Sequence, residues 1–333
     1  MQILLLCSLL LSLVACGDQS LALDAPSTNN QTGTVTEQKA SGRAQPNEPW
    51  VTEYVINSDE INESSGLARS HLNPDLLWTH NDSGGATSLY AMTTEGALVA
   101  SVQLSGLGII NLDWEDMTSF THEGKAYLLV GDIGDNLAFR STLTLYLLEE
   151  PRIDRNAPGP QREVAEVIAS YTVRLPDAPR DIESLAVDAS TQTAYLISKR
   201  DAEPVLYSVS LARTSPLEPH VTVVAANLGK INIPRAPASF PDNPERFNWV
   251  TSMDISSNGL AAYVGTLSHG YRYVRQPQQT WQQAFSQPPA AIDLPAFRQI
   301  EAGAFANGRD DAVFVTSENL PGRLARLRFP TTP

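Results

Sequence analysis

Five short segments of the chain repeat one design, a polar residue set at the head of a run that reads as a β-strand. They are Glu63-Ser64-Ser65-Gly66-Leu67-Ala68, Asp113-Trp114-Glu115-Asp116-Met117-Thr118, Asp181-Ile182-Glu183-Ser184-Leu185-Ala186, Val250-Thr251-Ser252-Met253-Asp254-Ile255 and Gln299-Ile300-Glu301-Ala302-Gly303-Ala304. Aligning the third residue of each puts Ser65, Glu115, Glu183, Ser252 and Glu301 in one column, which recurs roughly every 50 to 70 residues. That period fits one four-stranded unit with its loops. After each segment comes an apolar strand ending in turn residues, such as Leu76-Leu77-Trp78-Thr79-His80-Asn81-Asp82, and then a third strand such as Leu143-Thr144-Leu145-Tyr146-Leu147. A fourth strand reads at 97–104, 164–173 and 221–226, and weakly before Asp293. The fifth unit ends at Phe329 without one. A spare strand at 50–56 can supply it and close the ring, so that no sheet edge stays open. The pattern predicts an all-β fold, a five-bladed β-propeller whose last blade is closed by the N-terminal strand, with six blades as the alternative count.

The ends divide the chain. Residues 3–15 are an apolar run too short to span a bilayer and suited to a signal peptide. The run ends in Leu13-Val14-Ala15-Cys16-Gly17, which resembles the bacterial lipobox. That resemblance implies cleavage after residue 15, acylation of Cys16 and, with Gly17 following, an outer-membrane destination; an ordinary secretory signal is the alternative. Residues 16–49 are rich in Thr, Gln, Asn, Ser and Ala and cannot bury a core, so they read as a disordered tether. Residues 50–333 are then the propeller, reaching the membrane through the lipid anchor only and expected to be a monomer. Both cysteines, Cys7 and Cys16, fall in the leader, so the folded domain has no disulfide and no thiol chemistry. A net charge of −14 argues against nucleic-acid binding, which needs a basic field, and agrees with cation binding. The five histidines show no zinc spacing, and no Walker loop or GxSxG is present.

In a propeller the innermost strands line an axial tunnel, so the aligned column should converge there as three carboxylates, Glu115, Glu183 and Glu301, and two hydroxyls, Ser65 and Ser252. Three like charges that close need protons or a shared cation. An all-oxygen set suits Ca²⁺, which takes six to eight oxygens in loose geometry. The alternative is a water-filled tunnel whose polar residues are merely solvated. Strand alternation allows only one of Glu115 and Asp116 to be axial. Trp114 and Trp249, next to the column, read as packing residues between blades.

The order Ser, Glu, Glu, Ser, Glu on five successive inner strands resembles the calcium-activated apyrase (nucleotidase) family. More loosely, the openings Glu63-Ser64-Ser65-Gly66-Leu67 and Asp181-Ile182-Glu183-Ser184-Leu185 are similar to phytase-like and esterase-like propellers. The first resemblance implies five blades, one calcium ion in the tunnel and hydrolysis of nucleoside di- and triphosphates. Lys199-Arg200 stands where that family carries a pair of arginines. The turns between second and third strands should ring the tunnel mouth, gathering Asp82, Asp132, Lys199 and Arg200 around a small phosphorylated or polar ligand. For a phosphoester hydrolase, Lys199 and Arg200 would hold phosphate and Asp82 or Asp132 would orient the attacking water. Turn chemistry alone also explains Asn81-Asp82-Ser83-Gly84 and Gly131-Asp132-Ile133-Gly134. A non-catalytic propeller binding a glycan, peptide or protein is the competing function, and a glycosidase a third. The Pro-rich stretch 233–244 is long enough to cover part of the mouth.

Overall fold

The computed structural model describes residues 51–106, 108–212, 219–235 and 246–330. The predicted signal peptide, Cys16, the tether and the 236–244 portion of the Pro-rich stretch lie outside the described residues.

The strands follow the alternating and fully apolar runs of the sequence. β1 (Val51–Val55) comes first. Then β2 (Ser64–Arg69), β3 (Leu76–Asn81), β4 (Ser88–Thr93) and β5 (Leu98–Ser105) form one antiparallel unit. A second unit is β6 (Trp114–His122), β7 (Lys125–Asp132), β8 (Leu143–Glu149) and the long β9 (Gln161–Arg174). A third contains β10 (Ile182–Asp188), β11 (Thr193–Ser198) and β12 (Val205–Ser210), followed by β13 (His220–Val224) and β14 (Ala226–Lys230). The fourth is β15 (Val250–Ile255), β16 (Ala261–Thr266), β17 (His269–Val274) and β18 (Ala290–Asp293), with the one-turn helix α1 (Trp281–Phe285) before its last strand. The fifth is β19 (Ile300–Phe305), β20 (Ala312–Ser317) and β21 (Arg323–Arg328), to which β1 adds antiparallel with Val51 opposite Leu327. The N-terminal strand therefore completes the last unit and covers its edge.

The inner strands β2, β6, β10, β15 and β19 touch in a closed cycle, β19 returning to β2. Five apolar clusters fill the spaces between neighbouring units. One example joins Trp78 and Leu89 of the first unit to Trp114 and Val130 of the second; another joins Leu67 and Met92 to Ala304 and Phe314 across the closure. Each sheet is thus covered on both faces, which is why its strands read as continuous apolar runs. The chain is an all-β propeller.

One expected strand takes a different place. Residues 221–226 read as the outer strand of the third unit, but β13 runs parallel to β9 of the second unit, with His220 opposite Ser170, and β14 is the strand that pairs with β12. β9 itself is shared: its first half pairs parallel with β5 and its second half antiparallel with β8. Outer strands are less apolar than inner ones, so their pattern does not tell which neighbour they join.

Candidate functional site

Each of the five inner strands slips in register against its second strand at one and the same place. The irregularities lie between Ser64 and Gly66, Trp114 and Met117, Ile182 and Leu185, Val250 and Ser252, and Ile300 and Ala302. A β-bulge adds one residue to a strand and re-aims its side chain. The residues raised at these bulges are Ser65, Glu115, Glu183, Thr251 and Glu301. Thr251, not Ser252, is thus level with the other four. Val-Thr-Ser-Met offers two adjacent hydroxyls, and only the bulge decides between them. The Thr251 hydroxyl donates to the Ile300 carbonyl at 3.1 Å, while the Ser252 hydroxyl lies one place further down, against Gly265 and beside the Tyr263 hydroxyl.

The bulge also overturns the expectation that only one of Glu115 and Asp116 faces inward. Glu115 is buried in the ring and accepts from the Ser65 hydroxyl at 3.2 Å. Asp116 is fully buried beneath it and accepts the backbone N–H groups of Leu185 at 2.8 Å and Met253 at 3.0 Å, tying β6 to β10 and β15. Further along the inner strands Asp254 accepts the Phe305 N–H at 2.9 Å and pairs with Arg69 at 2.5 Å. These carboxylates use backbone donors of neighbouring units as partners, so they fasten the ring.

At the ring itself the charges divide. The Lys199 ammonium donates to Glu183 and, at 3.3 Å, to Glu301. Lys199 is 6 % exposed, and its carboxylate neighbours hold its pKa above the usual lysine value despite burial. It lies in the tunnel, not on the rim as the sequence suggested. On the other side Glu115 faces Asp113 and Asp82, with one carboxylate oxygen of each lying within 4.8 Å of the others. Gly134 makes this approach possible: a β-carbon there would stand 2.5 Å from both the Asp113 and Glu115 carboxylates. Burial, then the charge of Asp113, pushes Asp82 up to about 7; burial, then Asp181, pushes Asp113 up to about 6. Glu115 is held well above the carboxylate range by burial and by Glu183. Glu318, beside them, is raised to about 8 by burial and by Glu301.

The rim holds the remaining sequence candidates. Asp132 is buried and paired with Arg140 at 2.7 Å, and Arg140 also donates to the Gly134 carbonyl at 2.6 Å. This fixes the turn that carries Gly134, so Asp132 supports the site without facing a ligand. Arg200 donates through Nε to Asp181 at 2.5 Å and through a terminal nitrogen to Asn136. Its guanidinium stacks on Trp249 at 4.4 Å, with Arg246 at 5.1 Å from the same ring. Trp249 is therefore a half-buried shelf for two arginines at the mouth, a role its position beside an apolar strand did not announce. Leu112, Leu137 and Phe139 lie exposed on the loops that carry Asp113 and Asp135.

A divalent cation fits the Asp82, Asp113 and Glu115 cluster on the structure's own terms. The donors are all oxygens, their pKa values are raised by burial and then by neighbouring carboxylates, and Gly134 leaves the space that brings them together. Among the described residues no helix is long and apolar enough to cross a membrane.

No protein-family model and no curated protein matches the chain. Among solved structures it is similar to a luciferin-regenerating enzyme, with 11% identity, a TM-score of 0.43, and coverage of 84% of this chain and 95% of that one. It is also similar to Mala s 1, the major allergen of Malassezia sympodialis, with 9% identity, a TM-score of 0.48, and coverage of 86% and 96%. At these identities the likeness is one of layout, and the fold stands on the sheet topology described above.

Proposed function

We propose that this chain is a calcium-binding propeller lipoprotein of the bacterial outer membrane whose tunnel mouth hydrolyses a phosphoester, a nucleotide being the first to test. The observation that carries the reading is the pairing of two opposite demands in one mouth. Asp82, Asp113 and Glu115 call for a cation, and the Arg200–Trp249–Arg246 stack, joined to them through Asp181, calls for an anion. A phosphate bridging a bound ion and arginines answers both.

Asp82, Asp113 and Glu115 would hold the ion, which would supply polarisation of a phosphoryl oxygen. Arg200, anchored by Asp181 and flattened on Trp249, holds a second phosphate oxygen, and Arg246 closes the same side. Asp82, at the rim among the residues that would hold the ion, would orient the attacking water toward the phosphorus. Arg140 with Asp132 holds the Gly134 turn against Asp113 and Glu115. Lys199 and Asp132, given direct roles from sequence, serve as a buried counter-charge and a brace.

The test is phosphate release from nucleoside di- and triphosphates and from simple phosphomonoesters, in Ca²⁺ and in chelator, by wild type and by the Asp82→Asn variant. Calcium-dependent release that falls about 100-fold or more in the variant supports the reading. Equal rates with and without Ca²⁺ reject it. The exposed Leu112, Leu137 and Phe139 favour a second reading, a non-catalytic mouth that binds a partner with an apolar edge. Calcium binding without turnover on any phosphoester selects it.

A further inference from the structure

The three ring glutamates are not equivalent. Glu183 and Glu301 share one ammonium, whereas Glu115 is turned to Ser65, Asp113 and Asp82. The position of that ammonium is built in by the chain. Lys199 follows directly on β11, and its N–H donates to the Asp181 carbonyl at 3.0 Å, which fixes where the side chain departs. The unbranched stem runs inward to the ring, and the Trp249 ring lies 5.7 Å from the ammonium on the mouth side. A compact point charge on a straight stem fits between two carboxylates. A guanidinium in its place would fork outward, as that of Arg200 does toward Asp181 and Asn136.

We infer that Lys199 is the resident cation of the axial ring: its ammonium occupies the place between Glu183 and Glu301, confines a divalent ion to Asp82, Asp113 and Glu115, and lowers the affinity with which that ion is held. This rests on the cation reading given above. An ion bonded to Glu183 and Glu301 would share both carboxylates with the ammonium, in a site screened from water where two positive centres repel strongly. One of the two must leave. Among the described residues Lys199 faces Glu183, Glu301, Glu115 and Trp249, so its removal takes from these glutamates the counter-charge they share. The lysine thus trades metal affinity for a ring whose charge is already partly offset before any metal arrives.

The test titrates CaCl₂ into the full chain by calorimetry, comparing wild type with Lys199→Met, Glu183→Gln and the double variant, and follows each melting temperature in Ca²⁺ and in chelator. Lys199→Met, with three uncompensated glutamates, should bind Ca²⁺ at least about 100-fold more tightly than wild type. It should also depend on Ca²⁺ for its melting temperature. Glu183→Gln, which keeps the lysine and removes a carboxylate charge from the ring, should bind Ca²⁺ more weakly than wild type, and the Lys199→Met/Glu183→Gln double variant, in which both opposite charges are gone, should return to within about threefold of it. If Lys199→Met binds no tighter than wild type, or the double variant no tighter than Glu183→Gln, the inference is overturned. Where Lys199→Met folds only in Ca²⁺, that dependence supports it; where it folds in neither, the double variant decides. Should wild type take up no Ca²⁺ while Lys199→Met binds it, the lysine assignment stands and the calcium-dependent function falls. No binding by either protein removes both.

Discussion

In chelator the folded chain should lose stability as the pH rises from 6.5 to 8, the opposite of what most carboxylates do. Asp82 is raised to about 7 and Glu318 to about 8, against ordinary values of 3.8 and 4.5. In each case the folded chain holds a proton that the unfolded chain has already lost, so stability declines between the unfolded and the folded pKa. Other groups bracket the window. His71 and His80, buried and held down to about 4, remove stability only as the pH falls below their unfolded value of 6.5. Asp188 and Asp311, lowered by their hydrogen-bonded and charged partners against the opposing effect of burial, act below 4. Above 6.5 the raised acids are left to dominate, with Glu115 and Glu183 acting in the same direction as Asp82 and Glu318. Between pH 6.5 and 8 Asp82 and Glu318 together traverse about 2 pKa units, about 3 kcal/mol, which solvent screening at the half-buried rim reduces to about 1.5 kcal/mol. Urea unfolding followed by tryptophan fluorescence, in chelator and in excess Ca²⁺, measures this directly. The fall should appear in chelator, shrink in Ca²⁺, which favours the ionised carboxylates, and be smaller in chelator for the Asp82→Asn/Glu318→Gln variant, which keeps the raised Glu115 and Glu183. A chelated wild type whose stability is level or rising over this range would refute the assignment of a strained acidic mouth.

Gly134→Ala should force the Asp113 and Glu115 carboxylates apart, since its β-carbon would meet both at 2.5 Å; calcium affinity by calorimetry should drop at least about tenfold while the circular dichroism stays that of the wild type. Arg69→Met should leave buried Asp254 without its counter-charge and destabilise the fold by about 3 to 5 kcal/mol in thermal or urea unfolding, with no change in calcium affinity. Asp132→Asn should act on the brace, lowering the melting temperature and weakening Ca²⁺ only through the Gly134 turn, whereas Asp82→Asn should abolish turnover in a protein of nearly wild-type melting temperature. Deleting residues 51–55 should expose the β21 edge and make the protein aggregate on warming, read by light scattering; an unchanged scattering profile would mean that β1 is dispensable for closure.

The ring and its chemistry were not equally legible in the sequence, and the reason is physical. Blade repetition is written in period-2 apolar patterns backed by turn residues, so the inner strands, their spacing and the closing strand β1 could be read from residues alone. Glu115, Glu183 and Glu301 could be read for the same reason, because they recur in register at the strand head. Thr251 could not be told from Ser252, nor could the inward turn of Asp116 be seen, because a bulge inserts a residue without disturbing the apolar pattern on either side of it. Lys199 and Asp132 were misplaced because what engages them comes from elsewhere: Lys199 from Glu301, 102 residues away, and Asp132 from Arg140 beyond a turn. The bulge also explains how one frame can carry varied chemistry. Downstream of the extra residue each strand returns to its core pattern, so the raised side chain is free to be a serine, threonine or glutamate while the packing between blades stays as it is. A change at one bulge therefore alters the charge of the tunnel without altering the fold, and a single lysine on a neighbouring turn then decides how much of that charge is left for a metal.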